Sequence, residues 1–330
     1  MLLSVFDLPQ LYTQPSAESL IQALGLMSLS PRSWDPGDDL SVPEIPQVNP
    51  EGVTHYLTSI IASHLRWVAS EELRERIWVL AAQRLAERSG RTGMSAITRS
   101  FRIPLSCTRL DDLPHTIDII LHEPALTSDN LGLKTWAASY LLSRRLSTFC
   151  LPPLTDSHPR RILELGAGTG LLGLSASAVF APCNVHLTDL PEIVPNLLHN
   201  ISVNAPVTGS TSITAGVLDW TNDTVIPVND KDGYDIVIAA DPLYSPEHPR
   251  LLVKMVARWL KSSKRARVIV ELPIREAYLH ELEEMKTRMH GIGLKLLQDG
   301  EESGRDDWGS NGTEDVGFVR CWWGIWGRES

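Results

Sequence analysis

Arg161-Ile162-Leu163-Glu164-Leu165-Gly166-Ala167-Gly168-Thr169-Gly170 joins a short apolar run to three glycines at alternate positions. Such a run reads as a strand buried on both faces of a parallel sheet. Glycine carries no Cβ, so the turn that follows can bring backbone against a ligand with no side chain between. Leu171 to Phe180 then reads as a helix whose free N–H groups point back at the turn. Strand, glycine turn and helix in this order build a nucleotide pocket at the carboxyl edge of an α/β sheet.

Two ligands compete for the turn. Gly168 to Gly173 fits G-x-G-x-x-G, the dinucleotide pattern, but Gly166 and Ala167 then intervene between the strand and its first glycine. The tighter register is Glu164-x-Gly166-x-Gly168-x-Gly170, with an acid at the strand end. A carboxylate there suits a ligand bearing an ammonium group, such as the methionine part of S-adenosylmethionine, and repels a pyrophosphate. The stretch favours S-adenosylmethionine over a nicotinamide dinucleotide; a dehydrogenase stays open to a test of cofactor binding.

The chain has 330 residues, enough for one large domain or two smaller ones, and at 43% hydrophobic it can bury a core. Its formal charge of −10 argues against a protein that tracks nucleic-acid phosphates and favours basic or neutral partners. Cys107, Cys150, Cys183 and Cys321 form no C-x-x-C pair, so neither a metal site nor a disulfide framework is expected. Met1 to Leu11 has no basic leader region and no apolar run reaches membrane-span length, so a cytoplasmic protein with no membrane attachment is expected; a monomer is the expected state, though no motif in the chain specifies it. Asn200-x-Ser202, Asn222-x-Thr224 and Asn311-x-Thr313 fit the glycosylation pattern and read as chance matches.

Residues 1–95 read as a helical extension: helices over Ala17 to Ser28, Glu51 to Ala69, and from an N-cap at Ser70 through Leu85 to Gly90 and Gly93, with a Pro-, Asp- and Ser-rich loop from Arg32 to Pro50. Residues 96–330 read as the main domain. A strand pair at Ser100 to Pro104 and Thr116 to His122 and an amphipathic helix from Gly132 to Phe149 lead into a core over 160–330. There strands and helices alternate, which predicts a doubly wound, Rossmann-like sheet of seven strands, the last two antiparallel to each other.

Candidate site residues fall at the carboxyl ends of these strands. Asp189 ends the second core strand, about twenty residues past the glycine turn, where an acid bonds ribose hydroxyls. Asp219-Trp220 ends the third; an aromatic there can cover an adenine ring. Asp241-Pro242-Leu243-Tyr244 follows Ala240 at the end of the fourth and offers a carboxylate, a carbonyl held rigid by proline, and a phenol. An amine nucleophile needs such acceptors, and a lysine amine must first lose a proton from a pKa near 10.4. Trp136 lies on the apolar face of the helix before the core, where packing is its plainer role.

Glu164 to Gly173 together with Asp241-x-x-Tyr244 resembles the seven-strand protein-lysine methyltransferases of the methyltransferase-like group. The runs Leu121 to Trp136, Thr188 to Val194, Leu218 to Asn222, Ala240 to Pro249 and Asp306 to Gly309 look like those of the fungal branch that methylates translation elongation factors. The resemblance covers roughly Ile117 to the C-terminus. It implies a donor held by Trp136, the backbone of Gly166, Ala167 and Gly168, Asp189, Trp220 and the backbone at Ala240, with Asp241 and Tyr244 facing a lysine of elongation factor 2 or, second, elongation factor 3. Proline at position 242 is also similar to the N-P-P-Y motif of adenine and glutamine amide methyltransferases. Methyl transfer to nucleic acid or a glutamine amide, or a silent binding module of this fold, are therefore the alternative readings.

Overall fold

The computed structural model of the chain describes residues 3–28, 34, 48–88, 96–105, 115–125, 131–153, 158–208, 211–222, 232–306 and 318–328. Gly90, Gly93, Cys107, residues 126–130 of the run before Trp136, and Asp307, Trp308 and Gly309 lie outside them, as does most of the loop expected over 32–50.

Two compact units divide the chain, one over residues 1–97 with 125–129, the other over 98–124 with 130–330. The first holds α1 (Ala17–Leu26), α2 (Val53–Ala62) and α3 (Glu71–Ala86) around a core that includes Leu20, Leu24, Leu57, Ile60 and Ile77. Ser70 caps α3, its hydroxyl accepting from the Leu73 N–H at 3.2 Å. The α2 helix is shorter than its apolar spacing predicts. It stops at Ala62, and Leu65 takes φ 45°, which leaves the helical path while still burying the side chain. The indole N–H of Trp78 donates to the Ser63 carbonyl at 2.9 Å and helps to hold that exit.

The second unit contains a two-stranded sheet, β1 (Ile97–Pro104) with β2 (Thr116–Glu123), then α4 (Ala137–Arg145), and a seven-stranded sheet. The seven strands are β3 (Arg160–Leu165), β4 (Cys183–Asp189), β5 (Ser212–Val217), β6 (Ile236–Ala240), β7 (Arg267–Pro273), β8 (Lys295–Arg305) and β9 (Phe318–Gly327), in the order β5-β4-β3-β6-β7-β9-β8. Strands β3 to β7 pair in parallel, and β9 runs antiparallel to both β7 and β8. The helices α5 (Leu171–Val179), α6 (Val194–Thr208), α7 (His248–Trp259) and α8 (Leu279–Gly291) complete the unit.

Central parallel strands read as continuous apolar runs because both faces are covered. Leu163, Leu165, Val237, Val268 and Val270 pack on the α7–α8 side with Leu252, Val256, Met285 and Met289. Ile162, Ile236, Ile238 and Ile269 point to the opposite side, against Leu172 and Ala176 of α5 and Leu197 of α6. The chain order reverses outward from β3, so a crevice opens beyond the carboxyl ends of β3 and its neighbours. Asn200 in α6 is fully buried, so the glycosylation match there is a coincidence of spelling.

Candidate active site

Each glycine of the turn adopts positive φ: 69° at Gly166, 56° at Gly168 and 92° at Gly170. Side chains disfavour that region, which is why the sequence places glycine at those three positions. Gly166 and Gly168 are partly exposed while Ala167 and Thr169 are buried, so the turn presents bare backbone to the crevice. The turn is tied to β4 by an Ala167 N–H bond to the Thr188 carbonyl at 3.0 Å. Gly173 has a different reason. A Cβ there would run into Leu187 and the Glu164 carboxylate, so α5 sits on the sheet only without one.

Glu164 lies beneath this turn, 2% exposed. Burial pushes its carboxyl well above the usual range, and the Gly173 backbone N–H offsets this in part. Its Oε2 has no hydrogen-bond partner in the protein. Asp189 ends β4 with its carboxylate turned toward the turn, accepting from the Gly168 N–H and the Leu190 N–H, each at 2.7 Å. Burial raises its carboxyl and those two N–H groups lower it.

Trp220, just past β5, lays its ring over the turn: a Cβ at Gly166 would stand 3.5 Å from it. The ring also meets His248 edge-on at 5.9 Å, and Lys254 Nζ donates to the Trp220 carbonyl at 3.2 Å. Asp219 is occupied locally, its Oδ1 accepting from the backbone N–H and hydroxyl of Thr221.

Trp136 departs from the sequence expectation. The segment from Gly132 to Phe149 is no single helix: a 3-10 turn at Leu131–Leu133 precedes α4, and another at Leu146–Thr148 follows it. Trp136 is the extended residue before α4 and not part of its packed face. Its indole N–H donates to the Leu131 carbonyl at 3.2 Å, and the Arg275 guanidinium lies 5.7 Å from its ring. The Gly132 carbonyl passes 3.1 Å from where a Cβ on Gly168 would be, so this segment packs closely on the glycine turn.

Ala240 ends β6 and Asp241 follows at φ 49°, unusual for a residue with a side chain. Its N–H donates to the Glu271 carbonyl at 2.8 Å. Its carboxylate is 8% exposed; Oδ2 pairs with Arg275 Nη2 at 3.0 Å and Oδ1 has no hydrogen-bond partner in the protein. Burial lifts the carboxyl to about 6, Arg275 opposing and Asp306 reinforcing the shift. Pro242 and Leu243 are buried, whereas Tyr244 stands 57% exposed at the mouth. Its ring meets His248 at 4.1 Å and a right angle, and its N–H donates to His248 Nδ1 at 3.3 Å.

The fold thus draws residues from six separate segments to one edge of the sheet. Sequence reasoning missed Arg275 and His248. Arg275 follows β7 at the same carboxyl edge as the other candidates, and that position was the available signal; its pairing with Asp241 was not. Among the described residues no group of three or more His, Cys, Asp or Glu is placed to hold a metal ion. The partnerless, buried oxygens of Glu164 and Asp241 and the bare glycine turn fit a ligand that bears a cationic group.

A model of the lysine methyltransferase family matches residues 116–286. Protein-lysine N-methyltransferase EFM2 of Saccharomyces cerevisiae is 34% identical over 80% of this chain, which spans 64% of that protein. Protein-lysine N-methyltransferase rrg1 of Schizosaccharomyces pombe is 32% identical over 99% of both chains. Among solved structures, M. jannaschii TYW2 in complex with AdoMet aligns over 64% of this chain and 83% of its own at 13% identity, with a TM-score of 0.40. The chain belongs to the lysine methyltransferase family, whose members transfer a methyl group from S-adenosylmethionine to a lysine amine.

Proposed function

We propose that residues 96–330 form a cytoplasmic protein-lysine N-methyltransferase domain acting on translation elongation factor 2, with elongation factor 3 as the next candidate and residues 1–95 as a helical extension. Support for the elongation factor comes from the motif runs around Trp136, Asp189, Trp220 and Asp241, and support for a protein lysine from the identity to EFM2. The observation that carries the acceptor is Asp241: a carboxylate fixed by Arg275, with one oxygen left over, at the edge where the glycine turn also lies.

S-adenosylmethionine, when bound, supplies an electrophilic methyl group on a sulfonium. In this reading Gly166, Ala167 and Gly168 offer backbone to it, Asp189 its carboxylate, Trp136 and Trp220 their rings, Ala240 its backbone, and Glu164 a buried carboxyl beneath the turn whose charged form a neighbouring cation would favour. Asp241 and the Pro242 carbonyl accept from the lysine nitrogen and aim its lone pair. Arg275 holds the Asp241 carboxylate in one orientation. Tyr244 shapes the mouth, its ring set by His248. A partly desolvated amine loses its proton more readily, and transfer then depends mainly on in-line placement.

Labelling a methyl-poor lysate and purified elongation factor 2 with methyl-labelled S-adenosylmethionine tests this reading. Label is expected on a lysine of the factor. Asp241→Ala should keep donor binding and lose roughly 100-fold or more in transfer. Label in RNA, DNA or a glutamine side chain would replace the lysine acceptor, and loss of donor binding in Asp241→Ala would move Asp241 to the donor.

A further inference from the structure

Helix α6 grips strand β2 through asparagine side chains. Asn204 Oδ1 accepts from the Ile120 N–H at 2.9 Å, and its Nδ2 donates to the Ile120 carbonyl at 2.6 Å. One turn earlier Asn200 repeats the grip on His122, accepting from its N–H at 2.8 Å and donating to its carbonyl at 3.1 Å. Four helical residues rise about 6 Å and two strand residues about 6.7 Å, so the two grips stay in register along the strand.

The two asparagines differ in one further bond. Asn200 Nδ2 also donates to the Thr169 carbonyl at 2.9 Å, whereas Asn204 Nδ2 donates to the Asn200 carbonyl within its own helix. Thr169 sits between Gly168 and Gly170, the two positive-φ joints of the glycine turn. Its hydroxyl meets that of Thr135 at 2.9 Å, and the Thr135 N–H donates to Glu123 Oε1 at 3.3 Å. Asn200, Thr169, Thr135 and Glu123 are all at most 3% exposed. Strand β2 therefore holds the turn through Asn200 and holds the residue before Trp136 through Glu123.

A turn with glycine joints has no side-chain preference to fix its shape; its backbone hydrogen bonds must do so. A buried carbonyl that loses a donor either stays less well paired at a cost or drags the turn elsewhere. We propose that Asn200 is a positioning residue for the donor: through the Thr169 carbonyl it keeps the glycine turn in its binding shape, while Asn204, with the same grip on β2, serves the fold alone. This rests on reading the turn as the donor site.

The test compares Asn200→Ala with Asn204→Ala in the full chain, using calorimetric binding of S-adenosylhomocysteine, thermal unfolding, and amide hydrogen exchange over residues 166–172 without ligand. Both variants should unfold at lower temperature. Asn200→Ala should weaken binding about tenfold and speed exchange in the turn, as loss of one buried hydrogen bond predicts, with Asn204→Ala within about twofold of wild type. Equal affinities in the two variants, at whatever level, overturn the inference. If Asn200→Ala does not fold, Asn200→Ser, which is too short to span to Thr169, replaces it with the same expectation. A wild-type chain that binds no S-adenosylhomocysteine overturns the donor reading itself, and does so before either variant is compared.

Discussion

Asp241 concentrates the cost of the site in one residue. It holds a positive φ, it is nearly buried, and half of its carboxylate has no partner. Its carboxyl in the folded chain sits at about 6, above the ordinary 3.8. The native state therefore binds that proton more tightly than the unfolded state does. Ionising the group lowers stability progressively as pH rises from about 4 to about 6, and the loss is complete above that, worth on the order of 1–3 kcal/mol. Asn carries no charge and tolerates left-handed backbone well. Asp241→Asn should consequently be more stable than wild type by about 1–3 kcal/mol in urea unfolding at pH 7.5, and the gap should close toward pH 4. A less stable variant at pH 7.5 would show that Arg275 outweighs burial. On the functional side, transfer by the wild type should fall as pH drops through about 6, where Asp241 takes up the proton and loses the charge that attracts and orients the amine. Asp241 and its loop were legible in the sequence as an acid-x-x-tyrosine motif after a strand. Arg275, 34 residues later, was not, because only sheet pairing of β6 with β7 brings the two together.

At the scale of the element, the strand–turn–helix unit of β3 and α5 is the most legible part of the chain. Its signals are local: an apolar run, alternate glycines, then helical spacing. Gly173 shows what local reading leaves out. It reads as an ordinary third glycine of a motif, and the structure gives it a packing role against Leu187 and Glu164. Gly173→Ala should destabilise the second unit by about 1–3 kcal/mol through overpacking. Because the intruding methyl meets the carboxylate of Glu164, donor affinity measured by calorimetry should fall as well. Unchanged affinity alongside lost stability would separate Glu164 from the donor site. The segment before α4 is less legible in the sequence. Apolar spacing from Gly132 to Phe149 resembles one helix, but Trp136 offers no side-chain cap and the backbone at Gly132 must meet the glycine turn, so the chain splits into short turns around α4. Helix α2 misleads in the same way: Leu65 and Val68 keep helical spacing and are buried, yet they lie past the helix end.

At the scale of the molecule, the two units have separate buried cores, and every candidate site residue belongs to the second. Leu57 is fully buried in the first. Leu57→Ala should cost that unit about 2–5 kcal/mol. Hydrogen exchange should rise across α1 to α3, while S-adenosylhomocysteine affinity stays at the wild-type value; a parallel loss of affinity would show that the first unit shapes the donor site. Across the chain, the sequence by itself determined the parallel sheet, its seven strands and the strand ends at which acids and aromatics gather. It could do so because buried strands and glycine turns are written in short-range patterns of hydrophobicity and backbone freedom. Tertiary structure alone decided which of those residues meet. The Asp241–Arg275 pair, the place of Trp136 at a helix entrance and the Asn200 bond to Thr169 each join segments distant in the chain or change a local preference. No periodicity encodes such contacts, since they follow from strand order and from the satisfaction of buried polar groups.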